Sequence, residues 1–230
     1  MGRKALVLSS GGIDSTTCLA LAISELGVQN VSAVSIYYGQ RHRVELEAAQ
    51  AVSKFYGIRQ YEFDLSSVMQ YSNCALLAGS TQEVTAGSYA EQIAENGCKI
   101  ATYVPFRNGL MLSVAASLAQ SIYETDDCAV YLGAHADDAA GNAYADCSVP
   151  FLKHIGEAIS IGTYEQVRLV APFAKCSKAS VVARGLELRA PYHLTWSCYL
   201  GGERPCGECA TCRDRAAAFA ANGVADPALK

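Results

Sequence analysis

The order of residue types in the first third of this 230-residue chain narrows its fold most, because short β-type runs alternate there with helical patterns. Residues 4–8 form an apolar run that stops at a Ser-Gly-Gly turn. From residue 15, Leu19, Ile23 and Leu26 recur at helical spacing, and Gly27 can close that helix. Residues 31–37 read as a second strand, 45–56 as a helix stopped by Gly57, and 58–65 as a third strand. Strands and helices alternating at this spacing call for an α/β fold, a parallel sheet covered by helices on both faces.

Residues 66–103 carry weak periodicity and many Ser, Thr, Gln, Asn and Gly residues. They are expected to form a long insertion with little regular structure, and a lid over a site is the natural role for it. Beyond it the pattern predicts a helix over 108–123, a strand over 129–132 and a polar run over 133–148. A helix over 150–160 with Pro150 in its first turn, a strand over 168–170 and helices over 178–189 and 213–222 follow.

Between the first strand and first helix stands Ser10-Gly11-Gly12-Ile13-Asp14-Ser15. An open α/β sheet binds ligands at the carboxyl ends of its strands. Two glycines allow a tight turn whose amides form an anion nest, and the helix N-terminus behind adds donors and a favourable dipole. Leu8, Ser9, Ser10, Gly11, Gly12, Ile13, Asp14, Ser15 and Thr16 are therefore candidate phosphate-binding residues. Asp14 is suited to orient the loop or to hold a magnesium ion. No lysine follows these glycines, so this is not a Walker A loop, and the dinucleotide pattern Gly-x-Gly-x-x-Gly is absent. An ordinary capped strand-to-helix turn is the alternative for the string taken alone.

Of the ten cysteines, Cys198, Cys206, Cys209 and Cys212 are clustered, and the rest are scattered singly as small apolar residues usually are. Four thiolates in one short stretch suit a tetrahedral zinc ion with no open position, hence a structural one. Cys-x-x-Cys-x-x-Cys also occurs in iron–sulfur sites, but here the fourth cysteine lies upstream and no Cys-Pro follows. The formal net charge is −4 and no Lys/Arg stripe is present, which favours a small-molecule substrate over nucleic acid. No targeting segment and no apolar run of membrane-spanning length is seen, so the expected compartment is the cytoplasm, without a membrane partner.

The string Ser-Gly-Gly-x-Asp-Ser resembles the loop of the PP-loop ATP pyrophosphatases. Further strings sharpen the resemblance to the 7-cyano-7-deazaguanine synthases. These are Tyr38-Gly39-Gln40-Arg41-His42, Val104-Pro105-Phe106-Arg107-Asn108, Gly133-Ala134-His135-Ala136-Asp137-Asp138, Asp146-Cys147 and Ser197-Cys198-Tyr199. The run Pro205-Cys206-Gly207-x-Cys209-x-x-Cys212 and the ending Phe219, Gly223, Asp226, Pro227 continue it. The chain departs from the family at Ala145, where proline commonly precedes the Asp-Cys pair, and in the longer run 141–148.

The resemblance implies a PP-loop α/β domain over 1–193 and a small zinc-binding C-terminal module over 194–230, packed on it. It implies ATP with Mg²⁺, structural Zn²⁺, and conversion of 7-carboxy-7-deazaguanine and ammonia to the nitrile through adenylated acid and amide. A homodimer is implied as well. Asp14, Ser15, Lys178 and Arg107 are then the catalytic candidates, although Lys178 also reads as a surface lysine. Gln40, Arg41, His42, His135, Asp137, Asp138 and Asp146 are candidates for the substrate side. Asn108 also reads as a helix cap and Cys147 as a buried thiol. The rivals are a tRNA thiolase or lysidine-type ligase on the same loop, with Cys147 as its persulfide candidate, and a zinc-ribbon interaction module.

Overall fold

A computed structural model describes residues 3–84, 100–139 and 143–229 of the chain. Strands β1 (Arg3–Leu8), β2 (Val31–Tyr37), β3 (Arg59–Asp64), β4 (Asp127–Tyr131) and β5 (Val167–Val170) form one parallel sheet in the order β3-β2-β1-β4-β5. β1 lies at its centre, with Ala5, Leu6 and Val7 wholly buried. A strand buried on both faces has no use for polar alternation, which is why this run is continuously apolar. The chain builds outward from β1 to β3, then returns to place β4 on the other side of β1. The carboxyl ends of β1 and β4 thus flank the point where strand order reverses, the usual ligand crevice of such sheets.

Among the described residues the α-helices are α1 (Ile13–Leu26), α2 (Val44–Tyr56), α3 (Ser66–Met69), α4 (Arg107–Tyr123), α5 (Ala136–Ala139), α6 (Val149–Gly162), α7 (Lys178–Glu187) and α8 (Ala210–Ala221). Helices α1, α2 and α7 cover one face through Cys18, Leu19, Val52 and Val181 packed with Ala5, Val7 and Ala129. Helices α4 and α6 cover the other through Leu112, Ala115, Ala119 and Ile159 against Leu6, Leu8 and Val130. Capping follows the sequence: Ser148 and Ser177 accept from Phe151 and Ser180 amides, and Gly57 closes α2 in the left-handed region. The last helix starts three residues before the sequence suggested, at Ala210, so that Cys212 lies inside it.

The insertion is described over 66–84 and 100–103. It forms α3 and turns, and Leu77 bridges Gln40. The lid expected from it falls partly on 85–99, outside the described residues. The C-terminal segment shares a core with the α/β unit, because Ala218 and Phe219 of α8 pack with Ile13, Val182 and Tyr192. It is tied down further by Arg215, whose Nε and Nη2 donate to the Asp226 carboxylate at 2.5 and 2.8 Å. The same guanidinium donates to Thr195 Oγ1 at 2.9 Å, and both charges are buried.

Removing one partner of such a pair strands the other charge in the interior, at a cost of about 3–5 kcal/mol. Asp226→Ala is therefore expected to lower unfolding stability by about that much in denaturant titration, while Glu203→Ala, at an exposed position, leaves it unchanged.

Candidate active site

The cavity at the sheet's carboxyl edge has a volume of about 220 Å³. Its apolar wall is Leu8, Val34, Ile36, Met111 and Leu132, contributed by three strands or their ends and by α4. Its polar wall gathers Ser10, Asp14, Ser15, Arg107, Asp138 and Lys178, from segments up to 168 residues apart.

Local sequence explains how the loop reaches this place. Gly11 sits at φ +80°, and a Cβ on it would lie 2.2 Å from the Glu45 carbonyl oxygen and 2.7 Å from the Ala49 amide nitrogen. Only glycine permits both the conformation and this approach to α2. Gly133, at the end of β4, is pressed on the loop in turn: a Cβ there would lie 2.8 Å from the Asp14 carbonyl carbon. Ser10 and Ser15 hydroxyls are 3.2 Å apart, and the Ser10 amide donates to Ser15 Oγ at 3.2 Å. The tail closes the loop from outside, where the Trp196 amide donates to the Gly11 carbonyl at 2.9 Å.

Lys178 is no surface residue. Its Nζ donates to Asp14 Oδ2 at 2.6 Å and lies 3.4 Å from His135 Nε2. Burial alone pushes the Asp14 carboxyl up, but Lys178 and His135 outweigh it and hold it below the usual carboxylate value. Asp14 Oδ1 is buried with no hydrogen-bond partner. Burial pushes the Asp138 and Asp214 carboxyls up, with His135 and Lys178 pulling the other way. His135 itself is buried, with Nε2 3.4 Å from Asp138 Oδ2.

Arg107 enters through a strained corner. Phe106, before it, holds φ +52°, and its ring stacks edge-on to Phe151 and fills the space above Gly109. Strain of this kind persists where packing over-determines it, and here it fixes the start of α4. The guanidinium sits 5.3 Å from the Tyr38 ring centre and donates to Tyr38 Oη at 3.3 Å. Beneath it, Asp146 Oδ2 accepts from the Asn108 amide at 2.8 Å. Asp146, not Asn108, thus caps this helix, while the Asn108 side chain donates to Asp146 O and Cys147 Sγ at 3.4 and 3.2 Å.

The other sequence candidates divide. Leu8, Ser9, Ser10, Gly12, Gln40 and Asp138 line the cavity. Ile13 points its side chain into the core with Phe219, Thr16 is fully buried outside the cavity lining, and Gly11 faces α2. These three can offer backbone only. Arg41 reaches back to the carbonyls of Ser80 and Gln82, and His42 Nε2 contacts the Tyr199 carbonyl at 3.1 Å. Asp137 accepts from the Lys178 amide at 2.7 Å, so it fixes the start of α7. Glu45, Trp196, Thr211 and Asp214 line the cavity without having been signalled by any motif, and Ser197 and Tyr199, which flank Cys198 in a quoted string, line it without having been singled out as site residues. For Glu45, its place three residues after the Tyr-Gly-Gln-Arg-His string was the nearest hint.

The four clustered cysteines converge, with all sulfurs within 4.8 Å of one another. Cys206 Sγ and Cys212 Sγ are 3.9 Å apart, close to the roughly 3.8 Å that ligands at about 2.3 Å from a tetrahedral ion would show. Amides of Leu200 and Cys206 point at Cys198 Sγ, and those of Glu208 and Cys209 at Cys206 Sγ, which suits thiolates. The donor set therefore fits a metal ion. Among the described residues no helix is long and apolar enough to cross a membrane.

A parallel sheet flanked by helices, with a Ser-Gly-Gly loop at its switch point faced by a largely buried lysine, gives the chain an α/β fold of the PP-loop kind. The family model "Queuosine biosynthesis protein QueC" matches residues 4–223, and the chain belongs to that family. A 7-cyano-7-deazaguanine synthase of Archaeoglobus fulgidus is 39% identical over 98% of this chain and 90% of its own length. One of Chromohalobacter salexigens is 40% identical over 97% and 84%, and one of Oceanobacillus iheyensis 36% identical over 98% and 97%. Among solved structures, the U34-tRNA thiolase NcsA of Methanococcus maripaludis aligns at 19% identity and TM-score 0.48, over 85% of this chain and 59% of that one.

Because its folded pKa is depressed, Asp14 contributes stability that is present above its unfolded value and lost as pH falls through the folded one. Lys178→Met removes the main cause. The variant is expected to lose about 3–5 kcal/mol at pH 7, with the gap to wild type closing below about pH 4. Urea midpoints measured at both pH values check this; a gap that does not depend on pH would count against the pairing.

Proposed function

We propose that this chain carries 7-cyano-7-deazaguanine synthase activity, joining the nitrogen of ammonia to 7-carboxy-7-deazaguanine and removing both carboxyl oxygens at the expense of ATP. The observation that carries the reading is one cavity holding a phosphate-type loop with Lys178, a second cation, Arg107, and an apolar wall suited to a purine. Family membership and the names of the relatives support it.

Neither a carboxylate oxygen nor an amide oxygen leaves unaided. The carboxylate attacks the α-phosphorus of ATP, pyrophosphate departs, and ammonia displaces AMP to give the primary amide. The amide oxygen is then adenylated in the same way and leaves as AMP with loss of two protons, which yields the nitrile. Ser10, Ser15 and the loop amides would hold the phosphates, and Lys178 would stabilise charge developing at the α-phosphate. Arg107 is suited to hold the substrate carboxylate. Asp14, through its unpartnered Oδ1, and Asp138 fit a magnesium ion arriving with ATP, which would neutralise the departing pyrophosphate. Zinc in the closed four-cysteine set would be structural.

The thiolase reading needs a reactive Cys147. Burial pushes that thiol well up, and Asn108 already engages its sulfur, which argues against a persulfide there. The charge of −4 also disfavours a tRNA substrate. We propose a homodimer from the family resemblance alone.

With one phosphate nest, both activations must reuse the same loop. The 7-deazaguanine primary amide should then become nitrile with ATP and magnesium and without ammonium, each turnover releasing AMP and pyrophosphate on chromatography. Failure of the amide while the acid is processed normally would remove it from the path. For the metal, about one zinc per chain is expected by elemental analysis. Cys206→Ser should lose that zinc and melt at lower temperature, whereas an iron–sulfur chromophore would overturn the zinc assignment.

A further inference from the structure

Two polar side chains lining the cavity from the β2–α2 segment have hydrogen-bonding capacity that no described residue takes up. Glu45, in the first turn of α2, is half-buried and makes no hydrogen bond or ion pair with a described residue. Arg107 acts on it only at a distance, and burial raises the carboxyl to about 7. Gln40 is 6% exposed, and its Oε1 accepts from the Tyr38 amide at 2.8 Å. An amide N–H can bond only to the oxygen end of that side chain, so the orientation of Gln40 is forced. Its NH₂ is left as a donor without a described partner, in the same cavity as an ionisable acceptor.

A half-buried carboxylate to which the protein gives no donor gains most from a ligand that supplies them. The proposed reaction brings two purine-like rings into one cavity, and their edges differ in sign. The pyrimidinone edge of a guanine-type ring offers two adjacent donors, the 2-amino group and N1–H, followed by the O6 acceptor. Adenine offers the N1 lone pair where the guanine-type ring offers N1–H, and that lone pair would face a carboxylate unfavourably. Two ligand donors favour the ionised form of Glu45, and an acceptor-only carboxylate with a donor amide complements the first edge and opposes the second.

We infer that Glu45, with Gln40, reads the donor–donor–acceptor edge of the guanine-type substrate and keeps adenine out of that half of the cavity. Glu45 is thus a specificity-determining residue, and the identity of the ring it reads rests on the proposed function. Arg107, on α4, is left for the 7-carboxyl group, and the apolar wall of Val34, Ile36 and Met111 for adenine. A carboxylate reads both donors, whereas a glutamine at position 45 presents one acceptor and one donor. Isosteric replacement therefore inverts part of the code without removing bulk.

The test measures binding of 7-carboxy-7-deazaguanine and of its analogue lacking the 2-amino group, 7-carboxy-7-deazahypoxanthine, by calorimetry without ATP. Wild-type protein is expected to prefer the guanine-type compound by on the order of tenfold to a hundredfold. Glu45→Gln should bind the two about equally while ATP affinity stays as in wild type, which shows the loop intact. A preference that survives in Glu45→Gln, or wild-type protein that binds both alike or neither, overturns the inference. Wild-type protein that shows the preference, loses it in Glu45→Gln and yet makes no nitrile with ATP and ammonia would overturn the reaction and leave the role of Glu45 standing.

Discussion

The cavity hangs on the contact between Gly11 and the first turn of α2. At φ +80°, with no space for a Cβ, Gly11 lets the loop after β1 lie on the backbone of residues 45–49. That contact sets three things together. It aims the Ser10 and Ser15 hydroxyls at each other, turns α1 so that Asp14 meets Lys178, and brings Glu45 to the cavity edge. The tail then locks the arrangement through Trp196, whose amide takes the Gly11 carbonyl. A bulkier residue at position 11 would strain the backbone and separate the loop from α2 at once.

Charge is arranged around this contact with little redundancy. Lys178 reaches Asp14 at 2.6 Å and also faces Asp138, so three groups share one neighbourhood. Half-buried carboxylates held near a lysine beside the Ser10 and Ser15 hydroxyls form a preorganised field, and such fields act where charge develops rather than where it rests. Arg107 stands apart, tied to Tyr38 and fixed by the strained Phe106. On the proposed reaction, separate cations for phosphate and for carboxylate would let one cavity change the reacting group without losing hold of the rest of the substrate.

What the sequence made legible was whatever local pattern carries. The apolar β1 run, the alternation through β3, the glycine loop and the cysteine spacing are short-range, and each element formed near its expected bounds. Lys178 was locatable but ambiguous, because nothing within a helix start says whether its face meets solvent or a loop 164 residues away. Arg41 and His42 sit beside Gln40 in one string, yet only Gln40 lines the cavity, since neighbouring residues in a tight turn point in different directions. Thr211 and Asp214 escaped notice for a different reason: the cysteines around them supplied a complete explanation for that stretch.

Those two residues give the cysteine cluster a meaning beyond anchoring. Helix α8 carries Cys212 on one turn and Asp214 on the same stretch, and Cys209 lies just before Thr211. The cysteine set and one wall of the cavity are therefore carried by one short stretch of chain. On the zinc reading, loss of the ion would loosen that wall, and filling the cavity would in turn tighten the grip on the ion. The two equilibria are thermodynamically linked, and whatever factor one binding event imposes on the other must be returned in full.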